Sequence, residues 1–413
     1  MPLLIFNKKK HRVLIILLYA IFAYSFFRYN AIPGSLRKII TLATVISTLI
    51  YLVPTIFGKL KSNVLGKYIR ALLFLLLFSI IQAFIFHGQS PIESTIITIY
   101  DIGGVLFYFV LVKLKPTLKE TYKFISIMVI LHIILWIFGM AHFPEDIYTT
   151  SSDKNLDISR GIMRISLAAK PFLVLGLFII LEKAIIFKKK QYWIFVAAIS
   201  TLIVLEVIRQ VIFLSAILSI YIFIRKKRYS LIIIAIITML LIGIFQFVEI
   251  GKKTIVGKML ALTERQSSFE NNSEENIRIT AYRYFFTEKN SNIFTVLLGN
   301  GYPHSNSKYG YRMFIERSRL KLFASDVGYA YIFIRLGLIG LIVFLLIFLQ
   351  AKKVRNVPIS IRIFVLYMYL LNIATAFILV DFFALACSLY IIDLHHNLNK
   401  ANELFPSNYN TSI

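Results

Sequence analysis

The sequence predicts an all-α, polytopic integral membrane protein, and three observations carry that prediction. Hydrophobic residues fill 58% of 413 positions and Asp, Glu, Lys and Arg only 16%, more apolar sequence than a soluble core of this size could hide. The apolar residues come in runs of up to about 20, the length needed to cross ~30 Å of hydrocarbon. The basic residues, which bring the formal net charge to +26, lie in short clusters between apolar runs. That pattern reports membrane topology and argues against a nucleic-acid-binding face.

Taken in order, the runs give about twelve spans: 13–26, 39–57, 69–87, 94–112, 124–141, 169–187, 192–208, 211–224, 231–250, 326–350, 363–380 and 382–394. The first is preceded by Lys8, Lys9, Lys10 and Arg12 but followed by no small-residue cleavage site, so it is expected to remain as an uncleaved helix. Basic clusters flank alternate spans: Lys59, Lys61, Lys67 and Arg70; Lys113, Lys115, Lys119 and Lys123; 188–190; 225–228; and Lys352, Lys353 and Arg355. The positive-inside rule puts these clusters and both termini in the cytoplasm. The organisation expected is therefore a membrane unit over 1–250, an external loop over 251–325, closing spans over 326–396 and a cytoplasmic tail over 397–413. The single cysteine, Cys387, lies in an apolar run. It excludes a disulfide within the chain and argues against a thiol nucleophile.

The loop is the exception to this pattern. Lys and Arg outnumber Asp and Glu in it by roughly two to one, so it should attract anions. Apolar spacing predicts an amphipathic helix over 274–288, a short helix over 293–298 capped by Gly299, and a helix over 311–323 lying on the membrane surface.

Several residues on the external side have the chemistry for a site. Arg160, Arg164, Arg209, Arg278, Arg283 and Arg335 present planar, permanently charged forks suited to phosphate, with membrane-interface snorkelling as the alternative reading. Arg278 and Arg283 stand about 140° apart on a helix, so one of them can be structural. The Gly299-Asn300-Gly301-Tyr302 stretch is either an anion-binding nest or an ordinary turn, and His304 follows it as a surface residue. Asp326, at the mouth of a span, is either a helix cap or a general base for a hydroxyl. Asp101 and Arg335 fall deep enough in their spans that each needs a partner or water, and they are expected to pair or to line one wet cavity, with His87, His132 and Asp381 as further candidates for it. No metal-ligand spacing and no nucleotide motif occurs, and no cofactor is expected.

The order of these features resembles the O-antigen polymerase and O-antigen ligase superfamily of bacterial membrane proteins, chiefly over 192–394. The ligase signature, His, a polar residue, nine residues, Gly, two residues and a small residue, is matched in spacing by Asp326, Val327, Gly337 and Gly340. Asp in place of His favours a polymerase over a ligase. Arg209 stands in an Ile-Arg-Gln context where the family usually has Ser-Arg-Gly, and neither Arg160 nor Arg164 has the Gly ten residues on that marks a polymerase loop motif. The resemblance implies a glycosyltransferase-C-like fold and a metal-independent transferase in the plasma membrane of a bacterium. Donor and acceptor would be polyprenyl-diphosphate-linked oligosaccharides, with a chain-length regulator as a further partner and no nucleic acid. It also implies Arg209 and Arg278 or Arg283 at the diphosphate, Asp326 as base, and Arg164, Arg160, Gly299, Gly301, Tyr302 and His304 around the substrate. A ligase, and from another class a lipid-linked oligosaccharide flippase, are the alternatives.

Overall fold

The computed structural model describes residues 11–58, 63–142, 145, 147–148, 156–157, 162–163, 165, 167–206, 208–228, 277–289, 292–376, 379 and 381–404. Apolar sequence becomes helix almost throughout, because a chain that must satisfy its own backbone in hydrocarbon can do so within a single helix. The helices are α1 (Arg12–Ala23), α2 (Gly34–Phe57), α3 (Gly66–His87), α4 (Pro91–Leu114), α5 (Leu118–Ala141), α6 (Pro171–Phe187), α7 (Lys190–Leu205) and α8 (Arg209–Arg225). After the loop helices α9 (Ile277–Arg283), α10 (Ile293–Leu298) and α11 (Lys308–Leu320) come α12 (Gly328–Lys353), α13 (Ile359–Leu371) and α14 (Phe382–Leu404). Among the described residues the one sheet is a two-residue pair, β1 (Leu156–Asp157) antiparallel to β2 (Ile162–Met163).

Each expected span among the described residues contains a helix, and 231–250 lies outside them. By length and composition, five of the described helices, α2 to α5 and α12, can cross a bilayer, so the chain is a helical membrane protein. The remaining expected spans are shorter or carry charge at their ends. α13 in particular stops at Leu371, with Asn372 as its cap, short of the 380 expected. The loop helices also shift: the helix expected over 274–288 is α9 followed by a π turn, Tyr284–Glu288, and the one expected over 311–323 is α11.

The bundle is built around α4, the most enclosed of the five long helices. Pro91 opens it where a missing amide costs nothing. Gly103 and Gly104 then let neighbours in: a Cβ on either would stand 3.0 Å from Val45 or Phe382. α2, α3 and α14 pack on α4 accordingly. The outward faces stay apolar, as at Ile130, Ile134 and Ile137 of α5, all more than half exposed. Such a stripe one and two turns apart fits a surface facing lipid.

The basic clusters collect at one end. Arg12 donates to Lys115 O (2.9 Å), joining the start of α1 to the end of α4, while Lys226 pairs with Glu182 (2.9 Å), which also accepts the Ser360 amide at the start of α13 (3.0 Å). The loop helices sit at the opposite end, where α12 is broken at Gly337 (φ 70°, ψ −173°). The carbonyls of Ile334 and Arg335 before the break accept the amides of Asn300 (2.7 Å) and Gly301 (3.1 Å). Contact is backbone to backbone: a Cβ on Gly337 would stand 2.2 Å from Leu297 O, and one on Gly299 2.4 Å from Arg335 O.

Gly337→Ala therefore meets both a positive φ and a collision, and should cost about 3 kcal/mol or more. Gly88 has φ 63° but open space around its missing Cβ, so Gly88→Ala should cost only about 1 kcal/mol. Thermal unfolding of the two variants in detergent measures the difference; equal midpoints would refute the docking account.

Candidate functional site

The docked turn delivers its neighbours to the ends of α3 and α4. Gln89, 2% exposed, uses its whole amide for this. Its Nε2 donates to Ser94 Oγ (2.7 Å) and Tyr302 O (2.7 Å), and its Oε1 accepts from the His304 amide (2.8 Å) and the Ser307 hydroxyl (2.7 Å). Gln82 donates to Leu298 O (2.6 Å), and the His87 ring, 3.2 Å from Asn300 Oδ1, stacks on Tyr309 (3.8 Å between centroids). His304 stands 4.0 Å from Glu93.

Held this way, Tyr302 lies between the two deep charges. Arg335 donates to Gly301 O (3.3 Å) and its guanidinium lies over the rings of Tyr302 (5.2 Å) and Tyr331 (5.0 Å). The Tyr302 hydroxyl faces Asp101, a carboxyl 3% exposed. The expected Asp101–Arg335 relationship is thus a shared polar cluster bridged by a tyrosine, with no direct ion pair among the described residues.

Two loop cations complete the cluster. Lys289, just past the π turn, pairs with Glu316 of α11, which also accepts the Tyr284 hydroxyl. Burial, with Arg312 and Arg335 nearby, pulls the Lys289 ammonium down to about 8, while burial raises Glu316. Arg312 also acts on His87 and Tyr309. The Nε of Arg335 is buried without a hydrogen bond to protein, and the buried hydroxyls of Tyr302 and Tyr309 turn towards Asp101 and Arg335. Lys289, Arg312 and Arg335, with the unpaired guanidinium Nε, together form a place suited to an anion.

The other predicted residues fall around this centre. Ala281 and Phe285 bury against Val327, Ala330 and Ile334, so α9 lies over the first turns of α12 with Arg278 and Arg283 exposed. Asp326 is exposed in a 3₁₀ turn, and α12 begins with no side-chain cap. The capping reading of Asp326 is not met. The nest reading fails too, since the amides of Asn300 and Gly301 are committed to α12; Gly299 and Gly301 serve docking. Gly340, also buried, gives room to Leu336. Arg209 opens α8, whose packing partners are α6, α7 and α13, on a different part of the bundle. Between them runs a buried polar row. Asp381 acts on Asp101 and is itself within reach of His132, which pairs with Glu206 (2.8 Å) three residues before Arg209. Arg160 and Arg164 lie outside the described residues.

Sequence reasoning missed Gln89, Lys289, Arg312, Glu316, Tyr309 and Tyr331. The density of Tyr and Arg over 309–312 was a usable signal; for Gln89 there was none, since its loop partners lie 213 to 218 residues away. Among the described residues no group of three His, Cys, Asp or Glu could hold a metal. Fold and site together define a helical membrane protein with an anion-suited cluster at one end of its bundle. No protein-family model matches the chain, and no curated protein matches it.

Sulfate, whose charge is constant near neutrality, probes the cluster. In the protein without sulfate, Lys289 loses its proton above about 8 while Arg312 and Arg335 keep theirs. Sulfate affinity of the purified protein, measured by calorimetry, should fall as pH rises through that value. Lys289→Gln should bind more weakly and lose the pH dependence, and an unchanged profile would remove Lys289 from the site.

Proposed function

We propose that the protein is a membrane glycosyltransferase that polymerises oligosaccharide repeat units carried on a polyprenyl diphosphate. The observation that supports this most directly is the convergence of Lys289, Arg312 and Arg335, the last with an unpaired Nε, at the end of an apolar bundle. A diphosphate needs cationic forks, and its lipid tail needs apolar walls beside them. In this reading about twelve spans form a glycosyltransferase-C-like bundle in a bacterial plasma membrane. Both termini are cytoplasmic and the loop faces outward.

The chemistry asks little beyond placement. A hydroxyl oxygen of the acceptor repeat unit attacks the anomeric carbon of the donor, the bond from that carbon to the diphosphate oxygen breaks, and the hydroxyl proton passes to Asp326. The departing polyprenyl diphosphate keeps the bonding pair, and charge-assisted hydrogen bonds from Lys289, Arg312 and Arg335 stabilise it. Arg278 and Arg283, exposed on α9 over the start of α12, would hold the glycan or the second lipid-linked substrate. Arg209, Arg160 and Arg164 are further candidates for the same anionic groups.

Purified protein given a lipid-linked repeat unit should yield a ladder of products without added metal. Asp326→Asn should slow it by about 100-fold or more, and thermal midpoints should hold because the side chain is exposed. A single-addition product on a non-lipid acceptor would favour the ligase reading, and an intact ladder from Asp326→Asn would eliminate Asp326 as the base.

A further inference from the structure

α11 has two faces that contradict each other for a helix in water. At about 100° per residue, Tyr309, Met313, Glu316 and Leu320 share an arc of about 60°, and this is the side turned to the protein: Tyr309 is buried and Glu316 meets Lys289 and Tyr284. The opposite arc of about 100° holds Tyr311, Phe314, Ile315 and Ser318. Tyr311 and Phe314 are each 63% exposed there and Ile315 48%.

The borders of that exposed stripe are basic. Lys308, Arg312 and Arg319 line one side and Arg317, held over the Phe323 ring at 4.1 Å, lines the other. The only carboxylate of the helix, Glu316, points inward. An apolar stripe between two basic borders matches the cross-section of a bilayer interface: acyl chains in the middle, headgroup phosphates on either side. The location fits as well, because only 321–327 separate α11 from α12, a helix long and apolar enough to cross the membrane.

We propose that α11 is an interfacial lipid-binding helix. Tyr311, Phe314 and Ile315 seat at the boundary between headgroups and acyl chains, and Lys308, Arg317 and Arg319 hold the headgroups of anionic phospholipids. The inference does not depend on the transferase reading, since it uses the outward face of α11 and leaves out Arg312, which belongs to the cluster.

The test uses the full chain in nanodiscs of phosphatidylcholine with or without phosphatidylglycerol. Phe314→Trp adds a reporter to the native Trp136 and Trp193, whose signal the unsubstituted protein supplies for subtraction. The reporter should be quenched by lipids brominated near the headgroup end of the acyl chain and shielded from aqueous iodide. Quenching by iodide with none by bromolipid would overturn the proposal. So would shielding that disappears at one copy per disc, which would give the stripe to a second copy. In mixed discs the triple variant Lys308→Gln, Arg317→Gln, Arg319→Gln should lose about 10-fold or more of the preference for phosphatidylglycerol, while the double variant Arg317→Lys, Arg319→Lys should retain it. A triple Gln variant that melts normally and keeps the preference would refute the headgroup assignment.

Discussion

The arrangement depends on an exchange of backbone hydrogen bonds between two broken segments. α12 is interrupted at Gly337, and the carbonyls of Ile334 and Arg335 take the amides of Asn300 and Gly301. In an apolar bundle an unsatisfied carbonyl costs several kcal/mol, so neither segment holds its shape without the other. The helix is bent where the turn needs acceptors, and the turn is open where the helix needs donors. Three glycines with positive φ, at 299, 301 and 337, make an approach possible that any side chain would block.

That exchange also sets the electrostatics. It fixes Gly301 O as an acceptor for Arg335 and puts the Tyr302 ring under the guanidinium, with its hydroxyl towards Asp101. A half-buried arginine is tolerable there because rings and a carbonyl surround it and a carboxylate lies behind. Lys289 and Arg312 then add positive charge from the loop side, where Glu316 offsets only part of it. The residual positive field is what makes the cluster more than a structural plug.

Much of the scaffold could be read from the chain alone, since length and hydropathy mark spans whatever their neighbours are. α1 to α8 and α12 lie where apolar runs predicted them, and Gly299 ends α10 as a cap should. The site was legible only in part. Arg335 and Asp101 stood out as charges in apolar surroundings, but the tyrosine between them comes from a turn some 200 residues after Asp101, a relation no local pattern encodes. Gly337 was visible as one position of a spaced frame, while its physical reason, contact with the backbone of Leu297 and Gly299, needed the fold. Asp326 looked like a cap because caps are a local expectation; the chain instead inserts a 3₁₀ turn and leaves the carboxylate in the open. Lys289 and Arg312 looked like any other loop cations until packing gathered them.

Gln89 leaves a narrower mark on the history of the molecule. Its amide is saturated, two donors spent and two bonds accepted at one oxygen. Glu would set a negative oxygen against the Tyr302 carbonyl, Asn would fall a methylene short, and an apolar residue would strand four partners. Position 89 and the glycines at 299, 301 and 337 should therefore drift as one unit during divergence: descendants that keep the turn keep all four, and descendants that lose one are free to rewrite the rest.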